Sequence, residues 1–262
     1  MLELVTFIDD MRMLQSVKAR AVGVRHGFTT RGRNATPAGR FEFDFTPPPA
    51  QSELAYEGQL GRLAAAVGVS DASMTTIRQV HGCTVVRVDR PGLSAADADA
   101  CMTNQPGVSL LIRVADCVPV LLWSRDGRVV AAVHAGWRGV AADIAGKTVQ
   151  SIADTYGVSP TELAAAVGPC IRAAHFEVGD EVVAAMHDAS LTQHVLPPDA
   201  SRAKSHVDLA GAVVTQLERA GLSPASIEDG GLCTFADPAL FFSHRRDAGD
   251  TGRLAAIIAP RP

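Results

Sequence analysis

Cysteine is scarce and irregular in this chain, and that scarcity is the first constraint. The 262 residues hold five cysteines, at 83, 101, 117, 170 and 233. None falls in a C-x-x-C pair, and an odd number in a long chain argues against a disulfide framework. Reduced thiols, and with them a cytoplasmic location, are the expectation. No apolar run approaches the length of a membrane span. The first residues, MLELVTFIDDMRML, carry acids and lack a basic stretch followed by an apolar one, so no signal peptide is expected. Charge of one sign is not in excess: 24 basic against 28 acidic residues leave a net charge of −4. That balance argues against nucleic acid or an anionic membrane as the main partner. No repeat at a solenoid period is visible. What is present is 47% hydrophobic and 20% charged residues, an ordinary globular balance in a chain long enough to bury a core. The expectation is one domain over residues 1–262, with 1–20 as a candidate leader segment.

The most informative stretch runs from Val108 to Gly139. Two apolar runs, Val118–Ser124 and Val129–His134, flank Arg125-Asp126-Gly127-Arg128. Asp-Gly between apolar runs is a strong hairpin signal. A turn at Asp126-Gly127 places Ser124 opposite Val129 and Cys117 opposite Gly136, with His134 one diagonal step from Cys117. Cross-strand diagonals share a face and lie roughly 7–8 Å apart. A thiol and an imidazole therefore converge at the open end of the hairpin. Such a pair suits a nucleophile with its base, two-thirds of a metal site, or a buried cysteine beside a structural histidine.

Elsewhere the patterns predict a strand over Leu2–Ile8 or a frayed leader, and a strand over Ala19–Thr30 running into a turn. The Gly-, Pro- and Arg-rich segment 32–49 reads as a long loop, with Arg31 and Arg33 as solvated loop charge or, alternatively, as anion contacts. A helix is expected from a Ser52 cap to Val67, with Leu54, Leu63, Ala64 and Val67 inward and Gly68 as stop. Strands follow over Met74–Val80, which delivers His81 to a strand end before Gly82, and over Cys83–Val88 and Val108–Val114. One helix is expected after Gly139 as far as Tyr156. If it starts near Arg138, its N-terminus lies beside His134 and favours an anion or thiolate. Leu163–Val167 is ambiguous. Val178–Ala189 and Val207–Ala220 read as helices, with Phe241–Ser243 and Leu254–Ala259 as strands. His187, His194 and His206 sit in polar contexts expected at the surface. Strands slightly outnumber helices without a strict βαβ rhythm, which predicts mixed sheets covered by helices.

A set of motifs then occurs in a fixed order. They are Gln79-Val80-His81-Gly82, Ala115-Asp116-Cys117-Val118-Pro119-Val120, His134-Ala135-Gly136-Trp137-Arg138-Gly139, Gly168-Pro169-Cys170-Ile171 and Phe176-Glu177-Val178-Gly179. Cys233-Thr234, Phe242-Ser243-His244-Arg245-Arg246 and Thr251-Gly252-Arg253 complete the set. From about Val24 to the C-terminus the chain closely resembles the YfiH-type family, also called the multicopper polyphenol oxidase or laccase-domain family. Where that family has a Gly-Gly-Val-Ser-like turn, this chain reads GRNATPAGRFEFDF.

The resemblance implies an α+β fold of four layers, α/β/β/α, with mixed sheets. It also implies a zinc site of His81, Cys117 and His134, which double as the catalytic residues, with a fourth coordination position open. Copper is the disfavoured alternative, because a multicopper oxidase needs repeated H-x-H pairs and eight histidines here supply none. The implied activity is phosphorolysis of adenosine, inosine, guanosine and methylthioadenosine, with deamination of adenosine, by a monomer or homodimer acting on a purine nucleoside and phosphate. Zinc lowers the pKa of bound water, which suits attack at C6 of adenine. Arg31, Arg245 and Arg246 are the candidate substrate contacts, through phosphate. Asp116 and Arg138 flank the ligands and are expected to orient them. The alternatives are a cell-wall precursor editing hydrolase using the same site, a phenol-oxidising copper enzyme, and a metal-free cysteine hydrolase with Cys117 as nucleophile and His134 as base.

Overall fold

The computed structural model describes residues 1–7, 11–32, 43–200 and 202–262, and for 93–95 the backbone alone. Arg33 and most of the 32–49 loop fall outside the described residues. Two mixed sheets stack face to face. The first has seven strands in the spatial order β1 (Leu2–Thr6), β2 (Arg12–Ser16), β3 (Arg25–Thr29), β15 (Leu254–Ala259), β8 (Ser109–Val114), β4 (Met74–Arg78) and β6 (Gly92–Asp97). The second has six: β14 (Ile227–Asp229), β11 (Leu163–Val167), β9 (Val118–Ser124), β10 (Val130–Ala135), β7 (Ala100–Thr103) and β5 (Val85–Arg87). A two-stranded ribbon joins β12 (Val195–Leu196) to β13 (His206–Val207). The helices are α1 (Val17–Ala21), α2 (Glu53–Val67), α3 (Trp137–Ala141), α4 (Ile144–Tyr156), α5 (Asp180–Asp188) and α6 (Leu209–Arg219).

Alternation along the strands sorts the side chains into layers. On β9 and β10, Leu121, Trp123, Val130 and Ala132 face the other sheet, where they meet Leu110, Ile112, Ala256 and Ile258. The opposite faces, Val118, Val120, Leu122, Ala131 and Val133, pack against α4, α5 and α6. The outer face of the first sheet, with Met13, Leu111 and Ile257, is covered by Leu63, Ala64 and Val67 of α2. The four layers α/β/β/α follow, as the resemblance implied. β1 and β2, within the segment expected as a leader, extend the first sheet by antiparallel pairing through β3.

The hairpin register is the one the Asp-Gly signal dictated, with His134 opposite Pro119 and Ala135 opposite Val118. The turn itself differs. Gly127 N–H donates to the Ser124 carbonyl at 2.8 Å, so Arg125 and Asp126 form the turn centre and Gly127 follows at φ +71°. A four-residue loop has the same midpoint as the two-residue one, and so leaves the register unchanged. A Cβ on Gly127 would lie 2.8 Å from the Val22 carbonyl, so close approach and left-handed backbone both favour glycine here.

Several expectations need correction. Val17–Ala21 is helical, not extended, because the Ser16 hydroxyl caps it by accepting from Ala19 N–H. Leu54 is 81% exposed on the first turn of α2, where the sheet no longer lies beneath the helix. The single helix expected after Gly139 is two, α3 and α4, broken where Asp143 adopts φ +59°. Leu163–Val167, ambiguous from its sequence, is a strand. Phe241–Ser243 is irregular, anchored by both buried phenylalanines. His206 is buried in β13, its Nδ1 bonded to the Ala173 carbonyl at 2.6 Å, whereas His187 is exposed.

Candidate metal centre

Cys117 and His134 share the inter-sheet face by the parity of β9 and β10, and both stand at the strand ends that open to solvent. His81 arrives from the turn after β4, at φ +59°. The ligand atoms of His81, Cys117 and His134 all lie within 4.8 Å of one another, so the three can hold one metal ion. The two imidazoles meet edge to face, centroids 4.8 Å apart. Gly136 sits directly beside the trio: a Cβ there would be 3.1 Å from His81 Cδ2 and 3.3 Å from Cys117 Sγ.

Asp99, fully buried, ties the trio together. Its carboxylate accepts from His134 Nδ1 at 2.8 Å and from the backbone N–H groups of His81 at 2.9 Å and Gly82 at 2.6 Å. With Nδ1 bonded to Asp99, Nε2 of His134 is the nitrogen left for a ligand role. Burial favours the neutral acid, yet the bonds from His134, Gly82 and Val80 hold Asp99 below the usual carboxylate range. Desolvation works against the Cys117 thiolate, but His134 and His81 outweigh it and lower the thiol's pKa. The reciprocal interaction raises His134 despite the desolvation that opposes its charge. Asp99 is the residue immediately before β7. Its spacing to the ligands gave no signal, because its partners are backbone amides and a residue 35 positions away.

Asp116 does not orient the ligands. Held at φ +85°, its carboxylate accepts from Thr234 Oγ1 at 2.6 Å, Ser243 Oγ at 3.1 Å and Arg245 N–H at 2.7 Å. It pins two C-terminal loops to the site's edge. Arg138 stacks its guanidinium 4.3 Å from the ring centroid of Trp137 and makes no bond to the three candidate ligands. α3 does begin beside His134, with Gly136 as its N-cap, but it is a single short turn.

The trio lies in the wall of a cavity of about 600 Å³. Trp137, Ile171, Phe176 and Leu209 supply apolar wall, and Arg78, Arg113, Arg138, Arg245 and Arg253 supply positive charge. Of the three arginines expected to meet substrate, Arg245 is in the wall. Arg31 and Arg246 are not among the lining residues. Arg246 is held by the carbonyls of Thr234 and Phe241 and by Asp247, so its guanidinium staples the loop. Arg78, Arg113 and Arg253 were missed because only the fold brings their strands and turns to one opening.

Fold and site together define a four-layer α/β/β/α protein with a His–Cys–His cluster able to hold a metal in an arginine-lined cavity. The chain belongs to the family described as multi-copper polyphenol oxidoreductase laccase, whose pattern it matches over residues 25–261. Its relatives include the purine nucleoside phosphorylase of Deinococcus radiodurans, 38% identical over 250 residues, covering 94% of this chain and 92% of that one. The purine nucleoside phosphorylase YfiH of Escherichia coli is 37% identical over 70% of this chain and 72% of its own. Among solved structures, YlmD of Geobacillus stearothermophilus superposes with a TM-score of 0.86 at 27% identity, covering 99% of both chains.

Proposed function

We propose that this chain is a purine nucleoside phosphorylase whose centre of His81, Cys117 and His134 holds zinc. The observation that carries this reading is the placement of that trio in the wall of a cavity that also presents several guanidinium groups. The names of the relatives at 37–43% identity support it.

The donor set fits the metal. Two imidazoles and one thiolate suit zinc, and three protein ligands leave one position for a substrate. The Gly136 backbone leaves the space a Cβ would fill. Among the described residues no methionine lines the cavity, so the axial ligand that usually completes a His2Cys copper site has no source there. Bound zinc would act as a Lewis acid that polarises a substrate group.

Phosphorolysis breaks the bond between the sugar C1′ and the purine nitrogen and forms a bond from C1′ to a phosphate oxygen. The base leaves with the electron pair and takes up a proton. The chain's part is to hold an apolar base and an anion together, which removes most of the entropy of encounter. Trp137, Ile171, Phe176 and Leu209 offer the base a dry wall, and the cavity arginines offer the phosphate charge and hydrogen bonds. Adenosine, inosine, guanosine and methylthioadenosine are the substrates of this reading, with deamination of adenosine at the same centre. The protein acts in the cytoplasm as a single domain, a monomer or homodimer.

The test is a product assay. Zinc-loaded protein is incubated with adenosine and phosphate, and the products are separated by chromatography beside Cys117→Ala. Adenine with ribose 1-phosphate, formed by the intact site alone, bears the reading out. A zinc-loaded protein with no turnover of any of the four nucleosides overturns it in favour of the cell-wall precursor hydrolase. Zinc content that vanishes in His81→Ala would count against the metal-free cysteine hydrolase.

A further inference from the structure

Three neighbouring strands of the first sheet bring arginines to the same edge. β15, β8 and β4 are adjacent, and Ala255 pairs with Arg113 while Leu254 pairs with Val114. Arg253, one residue before β15, therefore lies diagonally across from Arg113 on the same face. Arg78 ends β4, the strand beside β8, two residues beyond the last β4–β8 pair, Thr76 with Leu111. Like charges side by side on a sheet are unfavourable unless something compensates them. Arg78 is compensated by an ion pair with Asp97. Arg113 and Arg253 have no carboxylate partner among the described residues. Arg113 Nη1 donates to the Tyr56 hydroxyl at 3.0 Å, and Arg253 Nη1 to the carbonyls of Thr251 and Gly252 at 3.1 and 3.0 Å. The nearby Asp44 carboxylate takes the Arg253 backbone N–H at 2.9 Å and that of Thr46. The Gln79 side chain clamps the Arg113 backbone from both sides, at 2.8 and 2.9 Å, which fixes where that guanidinium starts.

Arg113 and Arg253 both line the cavity that holds His81 and Cys117. We infer that Arg113 and Arg253 form a subsite for a phosphate dianion, set beside the metal centre and separate from its ligands. Two planar forks with donors to spare match the oxygens of a phosphate, and the ion supplies the charge that the sheet edge lacks. This deepens the phosphorylase reading and rests on it for the identity of the anion. The same chemistry is offered by free phosphate, as co-substrate, and by the 5′-phosphate of a nucleotide.

Phosphate binding to the zinc-loaded protein can be followed by calorimetry and by 31P line broadening, without turnover. Inorganic phosphate and adenosine 5′-phosphate are titrated separately, and phosphate again in the presence of adenosine. Arg113→Gln and Arg253→Gln should each weaken anion binding at least tenfold, with zinc content and thermal unfolding unchanged. Arg128→Gln, on the hairpin turn, should bind as the native chain does. Phosphate that binds together with adenosine identifies the co-substrate, and adenosine 5′-phosphate that displaces phosphate and loses affinity in the same variants identifies a nucleotide. Anion affinity unchanged in both variants overturns the subsite, as does affinity that disappears only on removal of zinc. The two readings fail separately. A protein that binds phosphate through these arginines yet releases no purine base fails as a phosphorylase. One that turns over with a native KM for phosphate in Arg113→Gln fails only in the subsite.

Discussion

The Asp99 carboxylate receives the Nδ1 of His134 at 2.8 Å while receiving the backbone N–H of His81 at 2.9 Å, so one buried acid sets the positions of both histidines. Replacing it with asparagine keeps the volume but lets the amide present a donor where only acceptors fit. Asp99→Asn should weaken zinc binding by about 10–100-fold. Competition with a chromophoric chelator would measure this, and native affinity in the variant would show that Asp99 does not govern the site.

Gly136→Ala tests the space beside the three ligands. The backbone there, φ −74° and ψ 165°, is open to any residue, so the fold should survive. The added methyl would press on His81 and Cys117 at 3.1 and 3.3 Å and displace at least one of them. Metal content should fall well below one per chain while the far-ultraviolet spectrum stays native. A fully loaded variant would count against this crowding.

Acid sensitivity should trace in part to His26. Its ring is buried between the sheets, with Nε2 accepting from Ser16 N–H at 2.7 Å and Nδ1 facing the Val24 carbonyl at 3.0 Å. Burial lowers its pKa from the ordinary 6.5, against the hydrogen bond to Val24. As the pH falls below about 6.5 the unfolded chain takes up a proton that the folded chain refuses. The unfolded state then binds more protons, so stability declines with falling pH, by up to about 1.4 kcal/mol per unit from this one group. His26→Gln should be less stable at pH 7.5 but lose less between pH 6.5 and 5. Urea melts across that range would reveal it, and parallel curves would exclude His26 as a source.

Asp116→Ala should destabilise the chain by about 3 kcal/mol, because three donors lose a buried acceptor and alanine must take a positive φ. Chemical denaturation gives the number. Asp116→Asn should recover part of it, since asparagine tolerates left-handed backbone and still offers one carbonyl oxygen.

Much of the site could be read from the chain because its key contact is local. Asp126-Gly127 sits between two apolar runs, and a hairpin's register follows from its midpoint, so the sequence alone puts Cys117 and His134 on one face. His81 joined them through the motif Gln79-Val80-His81-Gly82. The caps of α2, Ser52 and Gly68, likewise follow from rules that involve only a few neighbouring residues.

Long-range geometry decided the rest. Asp99 acquires its role from backbone amides on a different turn, and no spacing encodes that. Arg246 and Arg253 stand in motifs of similar appearance and both donate to loop carbonyls, yet only Arg253 reaches the cavity. His206 is polar in its sequence context and buried by the ribbon it forms with β12. The break at Asp143 is invisible to a helical period, because the residues on either side still point inward. By itself the sequence determined the alternation, the turns and the set of donor atoms, since these depend on near neighbours. Only the stacking of two sheets decided which charges meet, because that depends on residues far apart in the chain sharing one buried edge.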